Sequence, residues 1–192
     1  MKDSRLFPVA LMYVGGDGVD GATRMQKLVF LGQEEFEIPE KYDYEPGPFG
    51  PYSSELEYQL SQLANKGLVE VSPVRNEVGN EKHVYRLTDS GILLGKKMAS
   101  SDELRPYLDI AEEVLSEYGD RPLGRLLGYV YSRYEELTIC TELDTDRLRD
   151  PEARSQFLEP GEKYGQSKYL GGISPEESHS MRSSAKELFS VQ

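Results

Sequence analysis

The side chains that could carry out chemistry in this sequence are few and scattered. The chain holds two histidines, His83 and His179, and one cysteine, Cys140. One cysteine forms no internal disulfide, and a zinc site built on two histidines would need carboxylates to complete its ligands. The Ser178-His179-Ser180 run pairs hydroxyls with a base, but it stands in a polar tail. Because glycine-rich phosphate loops, nucleophile elbows and metal triads are also missing from the sequence, we expect no enzyme, no metal and no cofactor.

The charge of the chain limits which macromolecules it can bind. Among 192 residues, 22 basic side chains face 34 acidic ones, which gives a net charge of −12. Residues 1–99 carry a net charge of −4 and residues 100–192 a net charge of −8. Since phosphate neutralisation needs clustered Lys and Arg, the composition excludes a non-specific nucleic-acid binder. Any basic surface in the first half must be small.

The sequence also lacks signals for a membrane or for export. No run approaches the roughly 18 apolar residues that a membrane span needs. The N-terminus has no apolar segment followed by a small-residue cleavage site. We therefore expect a soluble cytoplasmic protein without membrane contact.

The first two helices are predicted from apolar periodicity and from their ends. Residues 6–14 are almost entirely apolar and stop at a run of glycines, which predicts a helix and its termination. A second helix is predicted to begin at Thr23, because Thr23 and Gln26 have the spacing of a capping box. Arg24 and Lys27 lie off the apolar stripe of this helix, so the pattern leaves both cations for contacts outside the core.

A third helix follows a segment that breaks regular structure. Residues 42–51 contain three prolines and two glycines, and we expect them to form no regular element. Ser54 and Glu57 form a second predicted capping box at the start of the third helix. Gly67 is placed to end this helix in the left-handed conformation.

A β-hairpin and a fourth helix complete the first half. Residues 68–71 and 83–87 read as two short strands around a polar loop. A fourth helix is predicted from a cap at Thr88 to about Ala99. The order helix, helix, helix, hairpin, helix is that of a winged helix-turn-helix, so we assign residues 1–99 to a winged-helix domain.

The second half contains two further helices and a polar tail. Residues 102–118 and 122–137 carry apolar side chains at three- and four-residue steps, as in helices that pack on another helix. We expect residues 100–140 to form a helical pair that covers the core or makes a dimer interface. Residues 141–192 are polar and irregular, and we expect a loosely ordered tail. The predicted fold class is therefore mainly α with a small β-hairpin.

Three segments resemble a family of small prokaryotic winged-helix proteins. Residues 24–31, RMQKLVFL, resemble its LQKLVYL-type helix, and residues 49–56, FGPYSSEL, are similar to its YGPYSxxL signature. Residues 129–138, YVYSRYEELT, resemble the VYxxYPxxT segment of the YwgA-like branch, with Glu135 where that branch usually has proline. The first two segments are shared with the Panacea antitoxin domain. The resemblance implies a winged helix and, through Panacea domains, a protein partner such as a toxin.

The start of the third helix is the first candidate binding site. Gly50 and the residues after it suit a structural turn, because Gly permits positive φ and a hydroxyl caps exposed N–H groups. The same open helix N-terminus could instead receive a phosphate or a partner carboxylate. The candidate contacts are Tyr52, Ser53, Ser54 and, one turn further on, Tyr58.

The third helix and the hairpin could also contact DNA. Gln59, Gln62 and Asn65 have side chains that can read adenine in the major groove. Glu55 and Glu57 on the same helix would be repelled by phosphates. The cations expected to position phosphates are Arg24, Lys27, Arg75 and Lys82.

These observations leave two functions open. The first is a winged-helix transcriptional regulator that binds specific DNA as a dimer through residues 102–137, which would set two recognition helices about one DNA turn, ~34 Å, apart. The second is a module that binds a protein, such as a toxin or a defence-system component, through the Tyr52–Tyr58 face. We favour the regulator here because DNA binding is the commonest use of the fold, which is an argument by analogy.

Overall fold

The computed structural model describes residues 6–16, 18–39, 41–75, 81–141 and 143. Nearly all of the predicted tail, residues 141–192, therefore lies outside the described residues. The elements in chain order are α1 Phe7–Gly15, β1 Val19–Asp20, α2 Ala22–Glu35, β2 Glu45–Gly47, β3 Gly50–Tyr52, α3 Ser54–Asn65, β4 Val69–Arg75, β5 Glu81–Leu87, α4 Asp89–Ala99, α5 Arg105–Tyr118 and α6 Leu123–Arg133, followed by a 3-10 turn, Glu135–Leu137.

The main sheet has three antiparallel strands in the order β1-β5-β4. Strands β4 and β5 pair from Val69 opposite Leu87 to Arg75 opposite Glu81, and together they form the wing. Strand β1 adds two residues at the other side of β5, with Val19 opposite Tyr85. The order is that of a winged helix-turn-helix, a helix, a short strand, two helices and a hairpin, with the additional hairpin β2–β3 inserted between α2 and α3. The predicted fold class, mainly α with a small hairpin, is confirmed.

The prediction that residues 42–51 form no regular element is wrong. Strands β2 and β3 make a small hairpin within this segment, with Glu45 opposite Tyr52 and Pro46 opposite Pro51. Because proline has no N–H, the Pro46–Pro51 pair must occupy a non-hydrogen-bonded position of the ladder. A two-stranded hairpin tolerates prolines there, since each strand has only one bonded edge.

The predicted caps differ in their outcome. Helix α2 begins at Ala22 after Gly21, with no side-chain cap, so the Thr23 capping box is wrong. Helix α3 is capped one residue earlier than predicted, by the Ser53 hydroxyl, which accepts a hydrogen bond from the Leu56 N–H at 3.3 Å. The Thr88 cap of α4 is confirmed, with its hydroxyl accepting from the Gly91 N–H at 3.2 Å.

Helix α1 lies at the centre of one continuous core. It is buried along six consecutive residues, Phe7 to Met12, because β5, α4 and α5 all pack against it. Helix α5 buries Leu108, Ala111, Val114 and Tyr118 in this core, and α6 packs on α2 and β3. The helical pair therefore covers the core, as one of the two alternatives predicted, while dimerisation through it stays a prediction. Helix α5 begins three residues later than predicted and α6 ends four residues earlier.

Candidate functional site

The outward face of α3 is open to solvent. Leu56, Leu60 and Leu63 point into the core. On the opposite side Tyr58 is 66% exposed, and Ser61 and Asn65 are exposed as well. Gln59 and Gln62 are half-buried beside them, as are Tyr52 and Ser54 at the helix start. The described C-terminal helices therefore leave this face accessible to a macromolecule.

Both carboxylates at the start of α3 are engaged within the protein. The Glu57 carboxylate accepts a short hydrogen bond from the Tyr52 hydroxyl. The Glu55 carboxylate accepts from the backbone N–H of Asp43 at 3.3 Å. These two acids fasten the preceding loop and strand to α3, in addition to giving the face a negative charge.

Two of the predicted DNA-contacting cations point into the protein. Lys27 is 1% exposed, and its Nζ donates to the carbonyl of Pro51 at 2.7 Å. Arg24 is half-buried, and its guanidinium donates to the carbonyls of Gly119 and Arg121 at 3.2 and 2.8 Å. Both side chains are thus engaged inside the protein and not on its surface, and a contact of either with DNA phosphate stays a prediction that this geometry does not favour. They point inward because α2 is buried around its whole circumference from residue 25 to residue 32, which leaves no solvent face where the periodicity suggested one.

Burial changes the acid–base behaviour of these cations. The removal of water lowers the pKa of Lys27 to about 7, because an uncompensated charge is disfavoured away from solvent. It also lowers the pKa of Arg24, partly offset by the nearby charge of Asp20. Lys27 is thus a lysine that can change its charge near neutral pH.

The two predicted cations of the wing remain at the surface. Lys82 forms an ion pair with Asp20, with Nζ 2.7 Å from Oδ2, and both side chains are well exposed. Arg75 lies exposed at the end of β4, next to residues 76–80, which fall outside the described residues. The ion pair offsets the positive charge of Lys82.

Ser53 is not available to a partner. It is fully buried, its hydroxyl caps α3, and its backbone N–H and carbonyl are both hydrogen-bonded by the side chain of Gln26. The structure therefore gives no support to a contact of Ser53 with a phosphate or a partner, which stays a prediction. The structural reading of this turn describes Ser53 correctly.

A cavity of about 380 Å³ lies along the side of α3 that faces the wing, next to the outward face, and Ser61 and Asn65 belong to both. We call it the α2–α3 cavity, because it is bounded by α2, α3, the β2–β3 hairpin and the wing. Sequence reasoning missed it. The one available signal was the polar pair Gln26-Lys27 inside the otherwise apolar run of α2. The side chains that line it include Lys27, Phe49, Tyr52, Glu57, Leu60 and His83.

A second cluster joins the end of α2 to the C-terminal helices. The Glu35 carboxylate accepts hydrogen bonds from the hydroxyls of Tyr118, Tyr129 at 2.8 Å and Tyr134 at 2.9 Å, and it lies 3.1 Å from the Arg133 Nε. Burial alone would raise the pKa of Glu35, but the three hydroxyls and the arginine outweigh it and lower this pKa. Three of these residues come from the family-like segment 129–138, whose role here is to hold α6 on α2.

The described residues contain no group of three or more His, Cys, Asp or Glu side chains that could hold a metal ion. Within the same residues, no helix has both the length and the apolar character to cross a bilayer. The geometry therefore offers two places where another molecule could bind: the outward face of α3 and the α2–α3 cavity.

Comparison with known proteins places this chain beside a bacterial protein of similar length. No family model matches the sequence. A protein of Bacillus subtilis (strain 168) named "Uncharacterized protein YwgA" is 28% identical over 171 residues, an alignment that covers 83% of this chain and 87% of that protein. The likeness predicted from residues 24–31, 49–56 and 129–138 thus extends over most of both sequences, and the chain is similar to YwgA.

Proposed function

We propose that this protein is a protein-binding module whose contact surface is the outward face of α3. The observation that carries the proposal is Tyr58, which is 66% exposed at the middle of this face. Tyrosine is among the residues that dominate binding energy at protein interfaces, because it buries a large area at a small entropic cost. An exposed tyrosine on an otherwise polar helix face is well placed to anchor a partner.

The charges favour a partner with a basic surface. The chain has a net charge of −12, and α3 carries Glu55 and Glu57 in its first turn with no basic residue in its last. Complementary charge speeds association and selects among partners. The likeness of residues 24–31 and 49–56 to the Panacea domain points to the same class of function, with a toxin or a defence-system component as the partner.

Mutation of Tyr58 tests this surface. The tagged full-length chain is used to purify partners from its source cells, and each partner is then produced separately and its affinity measured. Tyr58→Glu is expected to weaken binding at least about tenfold, as expected when an interface anchor is lost. The matched control is Leu93→Glu, because Leu93 is also exposed, at 55%, but lies on α4. Equal affinity of wild type and Tyr58→Glu for every partner would reject the proposal.

Specific DNA binding is the second candidate. It is favoured by the position of α3, which is the recognition helix in the winged-helix order and carries Gln59, Gln62 and Asn65. It is weakened by the internal positions of Arg24 and Lys27, which leave Arg75 and Lys82 to hold phosphates. Replacing Arg75 and Lys82 by Ala would then weaken binding to all DNA sequences and flatten its salt dependence. Absence of binding to any genomic fragment at low salt would exclude this function.

A further inference from the structure

Lys27 is a buried lysine that forms no ion pair with any carboxylate of the described residues. Its side chain is 1% exposed, and among the described residues its only hydrogen bond goes to the Pro51 carbonyl. An ammonium group has three N–H donors, so two remain for other acceptors. A buried charge normally has a counter-charge, because its desolvation is costly otherwise. The neighbourhood of Lys27 is therefore suited to an anion that the described residues do not supply.

The α2–α3 cavity provides the space for that anion, since Lys27 lines it. Its volume of about 380 Å³ lies within the usual range of ligand pockets, roughly 300–1,000 Å³. Phe49, Leu60 and Val71 contribute apolar surface to its walls. Mostly apolar walls with a few polar groups are typical of sites for small organic molecules.

The cavity also contains acceptor groups. Glu57 and Tyr52, which are hydrogen-bonded to each other, both line it, and so does His83. A negative Glu57 would repel a ligand that is anionic throughout, but it would accept a hydrogen bond from a hydroxyl or an amino group. The lining thus favours a molecule with an acidic group, an apolar body and a hydrogen-bond donor.

We propose that the α2–α3 cavity binds a small organic acid, with its carboxylate on Lys27 and an aromatic or aliphatic body against Phe49 and Leu60. This site goes beyond the proposed function, because it needs no macromolecular partner. Leu60 and Ala64 of α3 also line the cavity. A bound acid would therefore contact the same helix that carries Tyr58.

The first test compares an acid with its neutral analogue. The probes are 4-hydroxyphenylacetate and 4-hydroxyphenylacetamide, titrated calorimetrically into the full-length protein slightly below neutral pH. The acid is expected to bind at least about tenfold more tightly than the amide. Absence of binding of the acid at millimolar concentration, or equal affinities of the two probes, would overturn the proposal.

Variants then locate the site. Lys27→Met keeps an unbranched side chain but removes the amino group, and it is expected to reduce affinity for 4-hydroxyphenylacetate at least about tenfold, with little effect on the amide. The matched control is Lys66→Met, because Lys66 is an exposed lysine just after α3. Thermal unfolding checks that each variant is folded. Ala64→Phe fills the cavity without altering Lys27 and is expected to weaken the binding of both probes. Unchanged affinity for the acid in Lys27→Met and in Ala64→Phe would overturn the proposal.

Proton uptake on binding distinguishes a lysine that contacts the ligand from one that has only a structural role, because a structural lysine would not change its protonation when the acid binds. In the free protein the pKa of Lys27 is about 7, so binding of an anion above this pH should take up a proton and raise the pKa. The affinity for the acid should then fall with increasing pH above 7, and the measured heat should depend on the buffer. Tyr52, Glu57, His83 and Tyr85 are the other titratable groups that line the cavity. The His83→Gln variant is measured in parallel, and retention of the proton uptake in Lys27→Met would overturn the assignment.

Discussion

The side chain of Gln26 hydrogen-bonds both backbone polar groups of Ser53. Its Nε2 donates to the Ser53 carbonyl at 2.9 Å, and its Oε1 accepts from the Ser53 N–H at 2.9 Å. Seven residues further along α2, Gln33 makes the same pair of bonds with Tyr42, at 3.2 and 2.7 Å. Residues seven apart lie two helical turns apart on one face. Two amide side chains thus fix both ends of segment 42–53 to α2. Each does so by bonding the N–H and the C=O of one residue, which are the groups that a paired β-strand would bond.

Replacing Gln26 by Leu should destabilise the protein strongly. It leaves the buried N–H of Ser53 without a partner and removes one of the two hydrogen bonds to the Ser53 carbonyl, which still accepts from the Glu57 N–H at 3.2 Å. The expected cost is about 2 kcal/mol in the free energy of unfolding. Gln33→Leu is the matched control, because its bonds to Tyr42 are only partly buried, and should cost about 1 kcal/mol. Urea unfolding of both variants measures the difference. Equal losses would contradict the role assigned to Gln26.

Gly50→Ala should be more harmful than Gly67→Ala. Both glycines have positive φ, +77° and +67°, which costs a residue with a Cβ about 1–2 kcal/mol. At Gly50 the added Cβ would also lie 2.6 Å from Cε1 of Tyr131, whereas at Gly67 it would meet no atom within 4 Å. Tyr131 is fully buried and its hydroxyl is hydrogen-bonded to Thr141 at 2.7 Å, so the ring cannot move away easily.

We therefore expect Gly50→Ala to lose about 3 kcal/mol of unfolding free energy, the sum of the backbone cost and of the steric conflict. Gly67→Ala should show the backbone cost alone. Chemical unfolding of the two variants under the same conditions gives this comparison. A loss at Gly50 no larger than that at Gly67 would show that Tyr131 is not held in place.

The stability of the protein should rise as the pH is increased above 7. Lys27 has a pKa of about 7 in the folded protein and of about 10.4 in the unfolded chain. Between these values the unfolded state binds more protons, so the free energy of unfolding should increase by up to about 1.4 kcal/mol per pH unit. Below pH 7 the lysine is charged while buried in the folded state. The desolvation of this charge then lowers the free energy of unfolding by its full amount.

Lys27→Met should remove this dependence and stabilise the protein near neutral pH. The measurement is the urea midpoint of wild type and variant between about pH 7 and pH 9, where lysine is the group with the shifted pKa. Lys66→Met, which removes an exposed lysine, should keep the slope of the wild type. If wild type and Lys27→Met respond identically to pH, Lys27 is not buried as a desolvated amine.

Glu35→Gln should destabilise the protein at neutral pH but not in acid. The pKa of Glu35 is lowered in the folded state, from about 4.3 in the unfolded chain. Its stabilising effect is therefore present above about pH 4.3 and is lost as the pH falls through the folded pKa. We expect a loss of about 2 kcal/mol at neutral pH, the usual value of hydrogen bonds to a charged group.

Unfolding free energies of wild type and Glu35→Gln should converge as the pH is lowered from about 6 to about 3. The neighbouring Glu34 is exposed, and Glu34→Gln should cost less than about 0.5 kcal/mol. A difference that stays constant over this pH range would mean that the ionised carboxylate of Glu35 is not what Tyr118, Tyr129 and Tyr134 stabilise.

Elements with a local signal could be predicted from the sequence. The wing and helix α4 have alternating strands and a Thr88 cap, and both depend on neighbouring residues only. Strand β1 has two residues, too few for any alternation to be recognised. The positions of Arg24 and Lys27 could not be predicted, since their burial requires segment 42–53 and the α5–α6 turn to pack on α2.

The clusters formed by distant parts of the chain could not be predicted from the sequence either. The Glu35 carboxylate is hydrogen-bonded by three tyrosines that follow it in the sequence by 83, 94 and 99 residues. No local sequence pattern predicts contacts over such separations. The α2–α3 cavity likewise combines residues from α2, the β2–β3 hairpin, α3 and the wing. On the outward face of α3 the sequence was sufficient for Tyr58, because solvent exposure there follows from the helical period alone.

The burial of six consecutive residues of α1, Phe7 to Met12, has a practical consequence for any dissection of the chain. A helix that is apolar on every side needs neighbours on every side, and α5 supplies one of them. Recombinant fragments that stop after α4 would present bare leucine, phenylalanine and methionine side chains to water, and we expect them to aggregate. Fusions, truncations and crystallisation designs should therefore retain the polypeptide as far as Leu143, which is itself a core residue.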